Sequence, residues 1–372
     1  MRVGVPKEVK ESEFRVGLTP SSVLELVAHG HEVIVETGAG AGSGLADSEY
    51  EAAGAHIVAS AAQVFEVADI IVKVKEPQPA ERAMLRPGQV LFTYLHLAPD
   101  PQQARDLMAS GATCIAYETV TSPTGGLPLL TPMSEVAGRL ATQIGANYLQ
   151  KWAGGRGVLL GGVPGVPPGE VVVLGGGVAG AHAATIAIGM GANVTVVDRN
   201  PEALRRLDFR FGTSVRTIFS TRSAIEAVVR RADVLIGTVL VPGAQAPKLV
   251  SREMVRAMKQ GAVIVDVCID QGGCCETSRP TTHAQPTYVD EGVLHYCVTN
   301  MPGAVPRTST FALNNATLPF ALALADKGWR EAMRADPHLR AGLNVHAGKI
   351  TCAPVALALG LELTAPEIVI QH

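Results

Sequence analysis

"EVVVLGGGVAGAHAATIAIGMGANVTVVDRN", Glu170 to Asn200, decides the fold. A short apolar run, Val171–Leu174, enters Gly175-x-Gly177-x-x-Gly180, and a helical pattern of small residues follows at once. The three glycines permit a tight turn, close approach of backbone to a pyrophosphate, and close packing of helix on strand. Unpaired N–H groups and the helix dipole at such a helix start favour negative charge. A second apolar run, "NVTVVD", ends in Asp198 about 20 residues beyond the glycines, where an acid binds ribose hydroxyls. Strand, turn, helix, strand and acid together predict a dinucleotide-binding Rossmann unit. A carboxylate at Asp198 repels a 2′-phosphate, so NAD is expected rather than NADP, although Arg199 beside it is able to pair with such a phosphate.

Outward from this stretch the same alternation recurs. The 372 residues exceed one ordinary core, and 47% hydrophobic with 17% charged residues suits large buried sheets. The first half predicts strands at Arg2–Val5, Glu32–Glu36, His56–Ala59, Ile70–Lys75, Val90–His96 and Thr113–Tyr117, with a helix from Thr19-Pro20 to Gly30. A long amphipathic helix, Met133–Trp152, leads through a Gly/Pro-rich connection, with a hairpin around Gly157–Val166, into the second series. That series predicts strands at Val171–Leu174, Asn193–Val197, Val215–Phe219, Val234–Val239 and Val263–Cys268, with a last one near Tyr296–Thr299. The remainder reads as largely helical. The expected architecture is α/β: two Rossmann-like domains with parallel sheets, the cofactor domain (131–305) inserted into a discontinuous substrate domain (1–130 and 306–372).

A net charge of −3, with no basic run, argues against nucleic acid as partner. No long uninterrupted apolar stretch suggests a membrane span, and the charged, strand-like N-terminus does not read as a signal peptide, so a cytoplasmic protein is expected. The six cysteines form no CxxC pair and no HExxH occurs, so no metal is expected. Vicinal Cys274-Cys275 reads as buried thiols more readily than as a soft-metal site.

Several polar residues stand where apolar strands end. Arg15 follows the first strand, Lys75 ends "DIIVKVK", and His96 ends "VLFTYLH". Singly, each reads as a loop charge, a snorkelling lysine or a core histidine. Together at equivalent strand ends, where parallel sheets bind ligands, they suggest a cationic pocket for a small carboxylate. In the second series Asp266 and Asp270 follow "VIV", and Asn300 and Met301 follow the last strand, placed to contact a nicotinamide, although Met301 suits a core equally.

These residues sit in stretches that resemble the L-alanine dehydrogenases over essentially the whole chain: "VGVPKEVKESEFRVGLTP", "VKVKEP", "LFTYLHLA", "AYETV", "PLLTPMSEVAGRLA", "VIVDVCIDQGGC" and "NMPGAVPRTSTFALNNATLP". The resemblance implies reversible oxidative deamination of L-alanine to pyruvate and ammonium with NAD, in a homohexamer. It implies that Arg15 and Lys75 hold the substrate, with Tyr94, Met133 and Asn300 around it, and that His96 and Asp270 are the catalytic pair. Gly175, Gly177, Val178, Ala179, Gly180, Asp198, Ser220, Val239, Leu240, Ser134 and Met301 are the expected cofactor contacts. His182, in the first helical turn, is a local departure. The same architecture is shared by the NAD-binding component of transhydrogenases, which would need a membrane partner and a separate NADP domain. A non-catalytic NAD(H) sensor would keep the glycines without Arg15, Lys75, His96 and Asp270. A saccharopine-type dehydrogenase would need more room than Tyr94, Leu130 and Met133 suggest.

Overall fold

The computed structural model describes residues 1–239 and 245–371. In chain order its strands are β1 (Arg2–Val5), β2 (Glu32–Glu36), β3 (His56–Val58), β4 (Ile70–Val72), β5 (Val90–Thr93), β6 (Thr113–Ala116), β7 (Glu170–Leu174), β8 (Asn193–Asp198), β9 (Val215–Phe219), β10 (Val234–Gly237), β11 (Val263–Asp266), β12 (Thr287–Asp290), β13 (Val293–Tyr296), β14 (Leu343–His346) and β15 (Lys349–Ile350). They divide between two compact units, Met1–Met133 with Val305–His372, and Ser134–Ala304.

The sheet of the first unit runs β15-β14-β6-β5-β4-β1-β2-β3, and that of the second β12-β13-β11-β10-β7-β8-β9. The strands from β3 to β6 pair in parallel, with β14 and β15 added antiparallel at one edge. The second sheet is parallel except for β12. In both sheets the strand order reverses beside the first strand, where β4 lies next to β1 and β10 next to β7. Such a switch point leaves a crevice at the carboxyl ends of the strands, the place where doubly wound folds bind ligands. Strands β4, β5, β6, β10 and β11 are buried at every position. Burial on both faces explains why their sequences are continuous apolar runs instead of alternating ones.

Local signals act as expected at the helix starts. Thr19 accepts from the Ser22 N–H at 3.3 Å ahead of the helix Pro20–Ala28, and proline occupies its first turn. The long helix is Thr131–Tyr148, two residues earlier at its start and four shorter at its end than Met133–Trp152. Within the second unit it lies backbone-close to the helix Val178–Gly189. A Cβ on Gly138 would stand 2.0 Å from the Ala179 carbonyl, so only glycine permits that approach.

The strand ends differ from the sequence reading in one direction. Strands expected to reach Lys75, His96, Val239 and Cys268 stop at Val72, Thr93, Gly237 and Asp266. Several residues beyond stay buried while leaving the ladder, so apolarity outlasts pairing. The last strand of the second series is Val293–Tyr296, not Tyr296–Thr299, and β12, β14 and β15 lie outside the sequence expectation. The connection near Gly157–Val166 keeps only an isolated antiparallel bridge, Val163 to Val166. Among the described residues no helix is long and apolar enough to cross a membrane.

Candidate active site

Three of the anticipated side chains follow β1, β4 and β5. Arg15 is 2% exposed, and a buried guanidinium needs paired charge. Glu13 supplies it: Arg15 Nε and Nη2 donate to the two Glu13 carboxylate oxygens at 2.6 and 2.5 Å. Burial opposes the arginine's charge, but the Glu13 hydrogen bond and charge outweigh it and raise its pKa. Arg15 Nη1 meets the Met133 sulfur at 3.0 Å. Glu13 thus occupies the Nε–Nη2 edge of the guanidinium. Lys75 is half-buried, and burial together with the Arg15 charge lowers its pKa. The two cations are thus electrostatic neighbours.

His96 lies three residues past β5 in a loop, exposed, with φ +50°. Few non-glycine residues adopt that conformation, and those that do are held there by surrounding structure. Glu118 does the holding. Its carboxylate accepts the His96 N–H at 2.6 Å and the Leu95 N–H at 3.2 Å, and lies 3.8 Å from His96 Nδ1. Tyr94 stacks on the imidazole with ring centroids 5.7 Å apart, and its hydroxyl donates to the Leu129 carbonyl at 2.5 Å. Burial keeps the Tyr94 phenol protonated. His96 therefore presents an exposed ring on a fixed backbone.

In the second unit the glycine turn follows β7. Gly175 has φ +102°, and a Cβ on Gly180 would stand 1.8 Å from the Gly175 carbonyl. Thr238, after β10, donates to the carbonyls of Leu174 and Gly175, both at 2.9 Å. Asp198 ties the turn from the other side: its oxygens accept the Gly176 and Asn200 N–H groups at 2.5 and 2.7 Å. Gly177 heads the helix Val178–Gly189 with no side-chain cap, and a Cβ there would meet no described atom within 4 Å. An uncapped, open helix start with a carboxylate at the adjacent strand end fits a dinucleotide's pyrophosphate and ribose. Val178 is exposed and Ala179 half-buried beside this turn.

The remaining candidates are spread over neighbouring strand ends. Asp270 is exposed in the short 3-10 segment Val267–Gln271 after β11. Asp266 is fully buried and accepts the Cys274 N–H at 2.9 Å and the Ser278 hydroxyl at 2.6 Å, so it shapes the segment that carries Asp270. Asn300 has φ +60° and opens a turn in which Gly303 donates to its carbonyl at 2.9 Å. Met301 is 3% exposed, the burial of a core side chain. Ser134, Ser220 and Val239 are half-buried, and Leu240 lies outside the described residues.

Two family models match in tandem: "Alanine dehydrogenase/PNT, N-terminal domain" over residues 4–137 and "Alanine dehydrogenase/PNT, C-terminal domain" over 141–353. The chain belongs to the alanine dehydrogenase/PNT family. Its relatives in this family include an alanine dehydrogenase of Halomonas elongata, 59% identical over 97% of this chain and 98% of that one. A solved L-alanine dehydrogenase superposes with a TM-score of 0.94 at 54% identity, covering 97% of this chain and 99% of that one. A transhydrogenase from Sinorhizobium meliloti gives 0.82 at 26% identity, with 95% and 99% covered.

Against this family background, the residues that the sequence did not announce are the carboxylates behind the cations. Glu13 stands two residues before Arg15, and Glu118 lies within "AYETV"; neither has a spacing that points to its partner. His182 accepts from Arg139 Nε at 2.9 Å and lies 3.5 Å from Glu135. Burial lowers its pKa, and the Arg139 contact suits a neutral ring. His182 is thereby engaged by side chains of the neighbouring helix.

Proposed function

We propose that this protein is an NAD-dependent L-alanine dehydrogenase, catalysing reversible oxidative deamination of L-alanine to pyruvate and ammonium. The observation that carries the reading is likeness to alanine dehydrogenases along the whole chain, 59% in the relative named above. The first unit is assigned the substrate and the second the cofactor. The glycine turn, Asp198, Thr238 and Val239 would hold the dinucleotide, with Ser134, Ser220, Asn300 and Met301 as further contacts. When bound, it supplies the hydride acceptor for the substrate α-carbon.

The chain's own groups take the remaining roles. Arg15, with Glu13 along one edge, binds the substrate carboxylate, and Lys75 adds its charge to the same carboxylate and to the carbonyl of pyruvate. Tyr94 and Met133 limit the substrate side chain. His96 carries protons to and from the oxygen and nitrogen of the carbinolamine, the general acid–base role an imidazole serves most often. Asp270 stabilises the iminium and activates water or ammonia. A cytoplasmic homohexamer belongs to the same proposal and rests on the resemblance.

Product analysis provides the test. L-alanine with NAD⁺ should yield pyruvate, ammonium and NADH in equal amounts, with little reduction of NADP⁺. Reduction with L-lactate but not L-alanine would replace this reading with a hydroxy-acid dehydrogenase.

A further inference from the structure

We propose that the second unit contains a binding site for a soft divalent cation, such as Cd²⁺ or Zn²⁺, formed by Asp266, Cys268 and Cys274. The proposal goes beyond the assigned reaction and does not depend on it. A carboxylate oxygen of Asp266, Cys268 Sγ and Cys274 Sγ all lie within 4.8 Å of one another. Cys268 Sγ donates to Asp266 Oδ1 at 3.0 Å. The other carboxylate oxygen is fixed by the Cys274 N–H and the Ser278 hydroxyl, so the carboxylate is held in orientation. Asp266 and Cys274 are fully buried and Cys268 is 7% exposed. Both cysteines are free thiols, so neither sulfur is committed to a disulfide.

No sequence motif announces this set, because its ligands come from the end of β11, the 3-10 segment and the glycine-hinged return. Asp266 and Cys268 are two apart, and Cys274 returns through Gly272 and Gly273, at φ +92° and +75°. A Cβ on Gly237, on the adjacent strand, would stand 2.4 Å from Cys274 Sγ, so glycine there leaves room for the sulfur. Two thiolates with one carboxylate are a donor set for zinc-like cations, whose affinity for thiolate far exceeds that of magnesium or calcium. Binding replaces the two thiol protons: the cation forms two metal–sulfur bonds and one metal–oxygen bond, and two protons pass to solvent. The three ligands carry three negative charges, leaving one after the dication binds.

Titration of the reduced, folded protein with Cd²⁺ alone tests the site through the ultraviolet thiolate-to-cadmium band, with proton release followed in weak buffer. The expected result is saturation at one cation per chain, tighter at higher pH. Binding should be more than about tenfold weaker in Cys268→Ser and Cys274→Ser. Cys352→Ser is the control, since Cys352 stands at a helix N-cap where serine is well tolerated. Cys268→Ala serves if a serine variant fails to fold. Absence of a saturable band in the wild type, or an equal band in the Cys268 and Cys274 variants, would overturn the proposal.

Discussion

At the scale of single residues, two of the side chains proposed to meet substrate are each held by a carboxylate. Arg15 owes its buried charge to Glu13, and His96 owes its left-handed backbone to Glu118. General acid–base groups contribute roughly 10²–10⁴ in rate. His96→Ala should therefore lose about that factor in turnover while NADH affinity stays nearly unchanged; unaltered turnover would remove His96 from the mechanism. Arg15→Lys cannot serve Glu13 along one edge and a substrate carboxylate along another. Charge-assisted hydrogen bonds are worth about 1.5–3 kcal/mol. The Michaelis constant for pyruvate should accordingly rise roughly tenfold to a hundredfold, and an unchanged value would reassign the anchor. Neither supporting carboxylate was legible beforehand, because contacts across a turn or between strand ends leave no periodic trace in a sequence.

At the scale of elements, the glycine turn was the most legible part of the chain. Its demands are local: a positive φ at Gly175, and a backbone approach at Gly180 that excludes any Cβ. Strand cores were legible for a similar reason, since burial on both faces leaves continuous apolar runs. Their ends were not, because "VKVKEP" and "YLHLA" remain partly buried after the ladder stops, and composition reports burial better than pairing. β14 and β15 were missed because they are short strands, added antiparallel beside β6, that follow a helical region. Asp198 tests the cofactor reading at this scale. Facing a 2′-phosphate, its carboxylate would impose a like-charge cost of several kcal/mol. Asp198→Ala should therefore reduce the preference for NADH over NADPH by more than about tenfold, measured as the ratio of kcat/KM values. An unchanged ratio would mean that another group excludes the phosphate.

At the scale of the molecule, the first unit contains a buried ionic cluster that neither composition nor motifs reveal. Lys73 is fully buried between Glu8 and Glu81, with Nζ–O distances of 2.9 and 2.7 Å. One ammonium balances only one of two carboxylates, so burial raises the Glu8 pKa while the two acids raise that of Lys73. Removing one member of a buried pair costs about 3–5 kcal/mol, and Lys73→Met should lose roughly that in urea denaturation. A carboxyl whose folded pKa is raised contributes stability below its unfolded pKa and loses it as pH rises through the folded one. Without Lys73 that rise grows, so the variant's deficit should widen from about pH 5 to pH 8; a deficit independent of pH would deny the cluster its electrostatic role. The central claim, reductive amination by a chain with this glycine turn and these strand-end cations, is tested most directly by NADH oxidation with pyruvate, with and without ammonium. The account predicts oxidation only when both are present; oxidation with pyruvate alone, or none despite measurable NADH binding, would contradict it.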